Sequence, residues 1–532
     1  MPSYYPVAFR ARPVAAILVL AILSPAAAHA QQPDRADTAV VTRIRDEGFN
    51  RSQVMETASW LTDVYGPRLT NSPNARAAAD WTIRRLASWG IDNGRMEPWG
   101  TFGIGWSNQA LFVRAVEPQA YPIIANVAAW TPSTSGWVRG EAVMVNDLTD
   151  SSVFAKYAGK LRGKFVLITD PPGIAQRFRP DARRYSDSAL DAIAVPPASP
   201  GDGQFGPPQP QGTLSAAARL RFFENEGVAA VVSSSPRNDF GTVFAAASVG
   251  TRRQDALSNL IGLGFAAEHY NRIARTLAKG LPVVLEMFVQ STAHEQDRTA
   301  FNVIAEIPGT DKKDEVVMLG AHFDSWHYAT GATDNASGSA VMLEAMRILE
   351  ALNLPLRRTV RLALWTGEEQ GLLGSRAYVN DHFADRATMQ LKPDHAKFQA
   401  YFNMDNGTGA FRGIYLQGNE AIGPIFRAWM EPFQDLGMTT ITIRNTGGTD
   451  HQAFDAVGLP GFQFIQDEIE YRSRTHHSNM DSYERLIADD LKKNAVIVAS
   501  FVYHAANRPT LLPREPLPPP PAPPTPPTPP RQ

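Results

Sequence analysis

Residues 316–338, VVMLGAHFDSWHYATGATDNASG, and 359–378, TVRLALWTGEEQGLLGSRAY, decide the fold. Each segment opens on apolar residues that read as a buried strand, 316–320 and 359–365, and each strand ends abruptly in ionisable side chains. The first runs into His322 and Asp324, and Asp334 follows in a turn flanked by Gly, Ala and Ser. The second runs into Thr366, Gly367, Glu368 and Glu369. Open α/β sheets bind ligands outside the carboxyl ends of their strands. Imidazoles and carboxylates gathered there are the donor set of a metal site.

Around these segments the pattern is regular. A strand at 301–307 precedes 316–320, a helix is expected at 337–352, and another follows the second strand at 372–380. A strand at 400–404 leads into Asp405, and a helix at 486–506 closes the region. Strands alternating with helices predict an α/β fold, a mostly parallel mixed sheet flanked by helices. Upstream, 38–66 and 74–90 have the apolar spacing of packing helices. From 123 to 290 short β-like runs (142–145, 164–168, 229–233, 283–288) alternate with loops, one of them the Pro-, Gly-, Asp- and Ser-rich stretch 171–212. A helix is expected at 216–227, and no catalytic residue types cluster there. This span reads as a β-rich accessory domain inserted between an N-terminal part of the core, 31–122, and the catalytic core, 291–508.

Composition narrows the chemistry. The chain has 532 residues, 44% hydrophobic and 20% charged, as in ordinary globular proteins. A formal net charge of -2 gives no electrostatic case for nucleic acid. With no cysteine, thiolate nucleophiles, disulfides and Cys-ligated zinc are excluded, so any metal must use His, Asp and Glu. At the N-terminus Arg10 and Arg12 precede an apolar run, 14–23, and then an Ala-x-Ala signal ending at Ala30. That is an export signal, 1–30, too short in its apolar part to be a membrane anchor. The expected location is periplasmic or secreted. At the other end, 509–532 is dominated by proline and is expected to be a disordered, extended tail.

Each candidate residue has an ordinary reading as well. His322-x-Asp324 alone is more readily a core histidine bonded to a neighbouring acid, and Asp334 could simply cap the helix after it. Glu368 and Glu369 could begin a helix, where its dipole favours acids. Yet they follow Leu-Ala-Leu-Trp, and burying paired acids without a cation is costly. Asp405 ends another apolar strand, and Thr475-His476-His477-Ser478-Asn479-Met480-Asp481 supplies a histidine pair. Together these give two imidazoles and three to four carboxylates, enough for a pair of divalent ions.

The stretches GAHFDSW, GATDNASG, LALWTGEEQGLLGS, NMDNGTG, GGTDHQAF and THHSNMDSYERL, in that order, resemble the co-catalytic two-zinc exopeptidases. That family includes carboxypeptidase Q, secreted bacterial leucyl-type aminopeptidases and glutamate carboxypeptidase; the resemblance covers 301–506 and is nearest carboxypeptidase Q. It implies two zinc ions per chain, one held by His322, Asp334 and Asp405 and the other by Asp334, Glu369 and His477. It further implies Glu368 as general base, Asp324 as the carboxylate behind His322, and a cis peptide between Asp334 and Asn335. His477 is preferred to His476 because the family places its last histidine before Ser/Thr-x-x-Asp. Asp450 and His451 are assigned either to the substrate pocket, lining it or stabilising the oxyanion, or to a polar loop capping a helix. The insert looks like a protease-associated domain. The implied activity is removal of terminal residues from short peptides, an aminopeptidase ahead of a carboxypeptidase or dipeptidase. Glutaminyl cyclisation, which uses one zinc on a similar fold, and a non-catalytic binding role are the other classes. The filled ligand set and the retained base argue against both. Self-association into a homo-oligomer is left open.

Overall fold

The computed structural model describes Met1, Ser3 and residues 34–148, 150–196, 214–245 and 256–521. The expected export signal lies outside these residues except for Met1 and Ser3, as does 522–532.

Eight strands form the main sheet: β1 (Arg95–Thr101), β2 (Thr299–Ile307), β3 (Lys312–His322), β4 (Arg358–Trp365), β5 (Phe398–Asn403), β6 (Phe411–Tyr415), β7 (Thr440–Thr442) and β8 (Gly461–Gln466). Their order is β1-β2-β4-β3-β5-β8-β6-β7. The centre, β4-β3-β5-β8, is parallel. Antiparallel pairs lie to either side, β1 with β2, β2 with β4, and β6 with β8. This is the mixed, centrally parallel sheet that the strand-helix alternation predicts.

The central strands are apolar almost throughout because helices cover both faces. Along β3, Val317, Leu319 and Ala321 enter one core and Met318 the other, as strand alternation requires. The first core is filled by helices α1 (Thr38–Asn50), α2 (Ser337–Ala351) and α4 (Ala488–Asn507). α2 is buried from Ser337 to Leu349, so it is apolar on nearly every side. The second core packs α3 (Leu373–His382) on Trp365, Phe398, Tyr401 and Phe454. Expected helix 38–66 is instead divided: α1, a short helix Val54–Ser59, and a widened turn Trp60–Val64.

A second eight-stranded sheet forms the accessory lobe. Its longest strands, Gly105–Glu117 and Val284–His294, run antiparallel side by side and carry the chain in and out. A boundary at 123 would divide that pair, so the lobe begins near Gly105. Strands Val138–Met144, Phe165–Leu167, Ala230–Ser233 and Gly262–Phe265 pair in parallel, with helices Ala216–Glu226 and Ala267–Leu277 in the same region. Helix Ala216–Glu226 supplies the crossover between Phe165–Leu167 and Ala230–Ser233, and Ala267–Leu277 leads from Gly262–Phe265 to Val284–His294, so the β-rich lobe also carries helices.

The Pro-rich segment also departs from expectation. Leu512 is buried and its N–H donates to Gln399 Oε1 at 2.8 Å, while Arg514 Nη2 donates to Phe398 O at 2.6 Å. The segment therefore stays on the domain beyond 509. Among the described residues no helix is long and apolar enough to cross a membrane.

One buried ion group ties α1 to α2. Arg347 donates to Glu344 at 2.9 and 3.0 Å and to Glu47 at 2.6 Å. Burial pushes the Glu344 carboxyl up, and Arg347 opposes that shift. Removing one member of a buried ion group leaves an unpaired charge. Arg347→Met should lower the unfolding free energy by about 3–5 kcal/mol, measured in denaturant. An unchanged midpoint would contradict this.

Candidate metal centre

The carboxyl ends of the parallel strands meet at one point. β3 ends at His322, opposite Trp365 of β4 in the ladder, and β4 leads through Thr366 and Gly367 to Glu368 and Glu369. β5 leads through Met404 to Asp405, and the turn Tyr471–Thr475 after β8 delivers His476 and His477. Asp334 sits in the turn before α2, across its cis peptide with Asn335.

His322 Nε2 is 3.1 Å from Asp334 Oδ1 and 3.3 Å from Asp405 Oδ1. His477 Nε2 is 2.8 Å from Glu369 Oε2 and 3.2 Å from Asp334 Oδ2. Asp334 thus offers one oxygen to each cluster. His476 stacks on His477 with ring centres 3.7 Å apart, and Asp334, His476 and His477 also form a group close enough to hold an ion. The structure therefore brings both histidines to the site, with His477 the one facing Glu369.

Other residues hold these ligands, and of them Tyr471 and Arg68 lie outside the sequence motifs. Tyr471 places its hydroxyl 3.2 Å from Asp334 Oδ1 and 3.3 Å from Asp405 Oδ1. Asp481 accepts from the N–H groups of Thr333 (2.6 Å) and Asp334 (3.1 Å), fixing the turn that carries the shared ligand. Gly331 begins that turn at φ 65°, which only glycine adopts freely. Arg68, fully buried, donates to the carbonyls of Leu61, Phe323, Thr330 and Gly331 at 2.7–3.0 Å.

Asp324 lies behind His322 with both its backbone and its carboxylate. His322 Nδ1 bonds the backbone carbonyl of Asp324 at 2.9 Å, and the Asp324 carboxylate is 3.7 Å away. That carboxylate accepts from Thr70 Oγ1 at 2.5 Å and from the Glu368 N–H at 3.3 Å. The Gly367 N–H donates in turn to Thr70 Oγ1 at 3.1 Å. Asp324 and Thr70 together fix the backbone under Glu368.

Asp450 and His451 are both fully buried and do not line the cleft beside Asp334, Glu369 and His477. His451 Nε2 donates to Thr446 O at 3.0 Å, and burial lowers its pKa to about 4. Both carboxylate oxygens of Asp450 are buried without a hydrogen-bond partner, and burial raises its pKa to about 7. The charge of Asp450 is among those raising the Glu368 pKa.

The electrostatics call for a cation. Burial, then the surrounding acids, push the Glu368 and Glu369 carboxyls well above the usual range, with His322 opposing. Burial alone would lower the His322 pKa, but Asp405 and Glu368 hold it well above its ordinary value. Asp334 Oδ2 and Glu369 Oε1 are buried with no hydrogen-bond partner. Orphaned carboxylate oxygens beside imidazole nitrogens are what a divalent ion of zinc's preferences would take. The residues fit such an ion.

A buried glutamate poised next to shared carboxylate and imidazole ligands, at the carboxyl end of a parallel sheet core, defines an α/β metallohydrolase. Comparison with known proteins points the same way: residues 302–502 match the model of peptidase family M28. The chain is a hydrolase whose relatives are zinc exopeptidases. Carboxypeptidase Q of Mus musculus is 24% identical over 468 residues, covering 88% of each chain. Aminopeptidase YwaD of Bacillus subtilis is 30% identical over 219 residues, 40% of this chain and 46% of that one. Among solved structures, a peptidase M28 precursor from Shewanella amazonensis superposes with a TM-score of 0.66 at 24% identity, over 90% of this chain and 98% of that one. That likeness spans both lobes, so they share its fold.

Asp334→Ala removes the oxygens offered to both clusters. It should abolish metal binding at both clusters, read by elemental analysis after dialysis. Full metal content would rule out a bridging role.

Proposed function

We propose that the chain is an exported exopeptidase that uses two zinc ions to remove terminal residues from short peptides, preferentially at a free amino terminus. The observation that carries this reading is Asp334, whose two oxygens face His322 and His477 respectively, beside a buried Glu368 that neither cluster uses. His322, Asp334 and Asp405 would hold one ion, and Asp334, Glu369 and His477 the other. Such a pair supplies, when bound, an acidified water and a polarised scissile carbonyl.

The chain's own residues account for the rest. Glu368 accepts the proton of the attacking water on its carboxylate and delivers it to the leaving amine. Its raised pKa, caused first by burial, suits a group that must both take and return a proton. Asp324 and Thr70 hold its backbone so that the carboxylate points at the site. Tyr471 restrains Asp334 and Asp405, and Trp326 packs edge-on to His477 at 6.2 Å, narrowing the cleft around the substrate.

Polarity supports an amino terminus as the recognised end. Among the described residues lining the small cleft beside His477 there is no lysine or arginine to receive a substrate carboxylate. Carboxypeptidase Q, similar over most of the chain, keeps the opposite direction as the second reading. Export through cleavage near Ala30 would put this activity in the periplasm or outside the cell.

Dipeptides blocked at one end or the other distinguish the directions. Release of free amino acid only when the amino terminus is free would support the proposal, and release only when the carboxyl terminus is free would overturn its direction. Glu368→Gln should keep both ions and lose at least about 10²-fold in kcat, the usual value of general-base catalysis. Near-full turnover in that variant would remove Glu368 as base.

A further inference from the structure

The loop that carries His477 is held from the accessory lobe as well as from the peptidase core. The Ala245 N–H donates to His477 O at 2.7 Å, and Phe244 forms an isolated antiparallel bridge with Ser478. Asn479 completes the contact with both ends of its side chain. Its Oδ1 accepts from the Val243 N–H at 2.7 Å, its Nδ2 donates to Gly241 O at 3.1 Å, and its own N–H donates to Val243 O at 3.1 Å.

On the other side of the histidine pair, Arg474 Nη1 reaches Asp239 Oδ1 and Thr242 Oγ1, both at 2.8 Å, and its Nε reaches Asp181 Oδ2 at 2.7 Å. Asp181, Asp239, Thr242, Val243 and Ala245 all belong to the lobe. Arg474 and Asp239 are buried, so these are not solvent-exchanging surface contacts. His477 itself sits at φ 60°, a left-handed conformation that a histidine adopts only when its surroundings impose it.

We infer that the accessory lobe is a splint for one of the two metal sites: residues 239–245 fix the backbone of the His477 loop, with Asn479 as the positioning residue on that loop. His322 and Asp405 need no such support, because they follow directly from β3 and β5. The lobe should therefore govern one ion and not the other. Groups behind a ligand commonly set metal affinity by about 10–100-fold. This inference rests on the two-metal reading above.

The test uses the full chain, stripped with a chelator and titrated with zinc in a calorimeter, with thermal unfolding recorded alongside. Asn479→Ala is compared with wild type and with Asn108→Ala. Asn108 lies within the accessory sheet, donates to Gln290 O at 2.9 Å and touches no ligand. Asn479→Ala should weaken one zinc by about tenfold or more and leave the other unchanged, while Asn108→Ala alters neither. Equal weakening of both ions, or no change in either, would overturn the inference while leaving the two-metal centre standing. A wild-type chain that fails to take two zinc ions would instead refute the two-metal reading, and this inference with it.

Discussion

Too many carboxylates are buried in one place, and much of the structure answers that constraint. Asp324, Asp334, Glu368, Glu369, Asp405, Asp450 and Asp481 are all buried around the strand ends. Buried charges are tolerated only when paired, hydrogen-bonded or coordinated to a cation. Peptide N–H groups, the hydroxyls of Thr70 and Tyr471 and the two imidazoles meet part of that requirement. Arg68 adds a guanidinium whose bonds go to carbonyls, while its charge faces Asp481, Asp324, Asp334 and Glu369. Burial lowers its pKa to about 10, and those four acids oppose the shift. Both oxygens of Asp450 and one each on Asp334 and Glu369 remain unmet, and the last two, beside the imidazoles, are where divalent ions fit.

The sheet explains how one short region can gather so much charge. Parallel strands send their carboxyl ends the same way, so β3, β4 and β5 each deliver an acid or imidazole to the same edge. The helices behind them are fixed by apolar packing and by the Arg347 ion group, which keeps α2 and the Asp334 turn at its start in position. Rigid elements supply His322 and Asp405, and a loop braced from the second lobe supplies His477. The two halves of the site thus differ in what holds them.

The sequence made the strand ends legible because apolar runs there stop at ionisable residues without a polar transition. His322, Glu368, Glu369 and Asp405 stand out on that ground, whereas Asp334, in a turn of small residues, and His477, in a polar loop, stand out through the resemblance. Arg68, Thr70 and Tyr471 do not, because their partners are distant in the chain: Thr70 and Asp324 are separated by 254 positions. The resemblance implies Asp324 as the carboxylate behind His322; past the end of β3 its backbone carbonyl makes the closer contact, 2.9 Å against 3.7 Å for the carboxylate. The start of the accessory lobe was hidden for the same reason as Thr70. Strand Gly105–Glu117 declares its sheet only through its pairing with Val284–His294.

The chain order of the ligands has a consequence for biosynthesis. His322, Asp334, Glu369 and Asp405 are translated first, and His477 comes only shortly before the closing helix Ala488–Asn507. A ribosome-bound or prematurely terminated chain can therefore gather at most the His322 cluster. It would lack both the last ligand and the segment on which the accessory lobe grips. Peptide-cleaving competence would thus wait until the segment that carries His477 has been made.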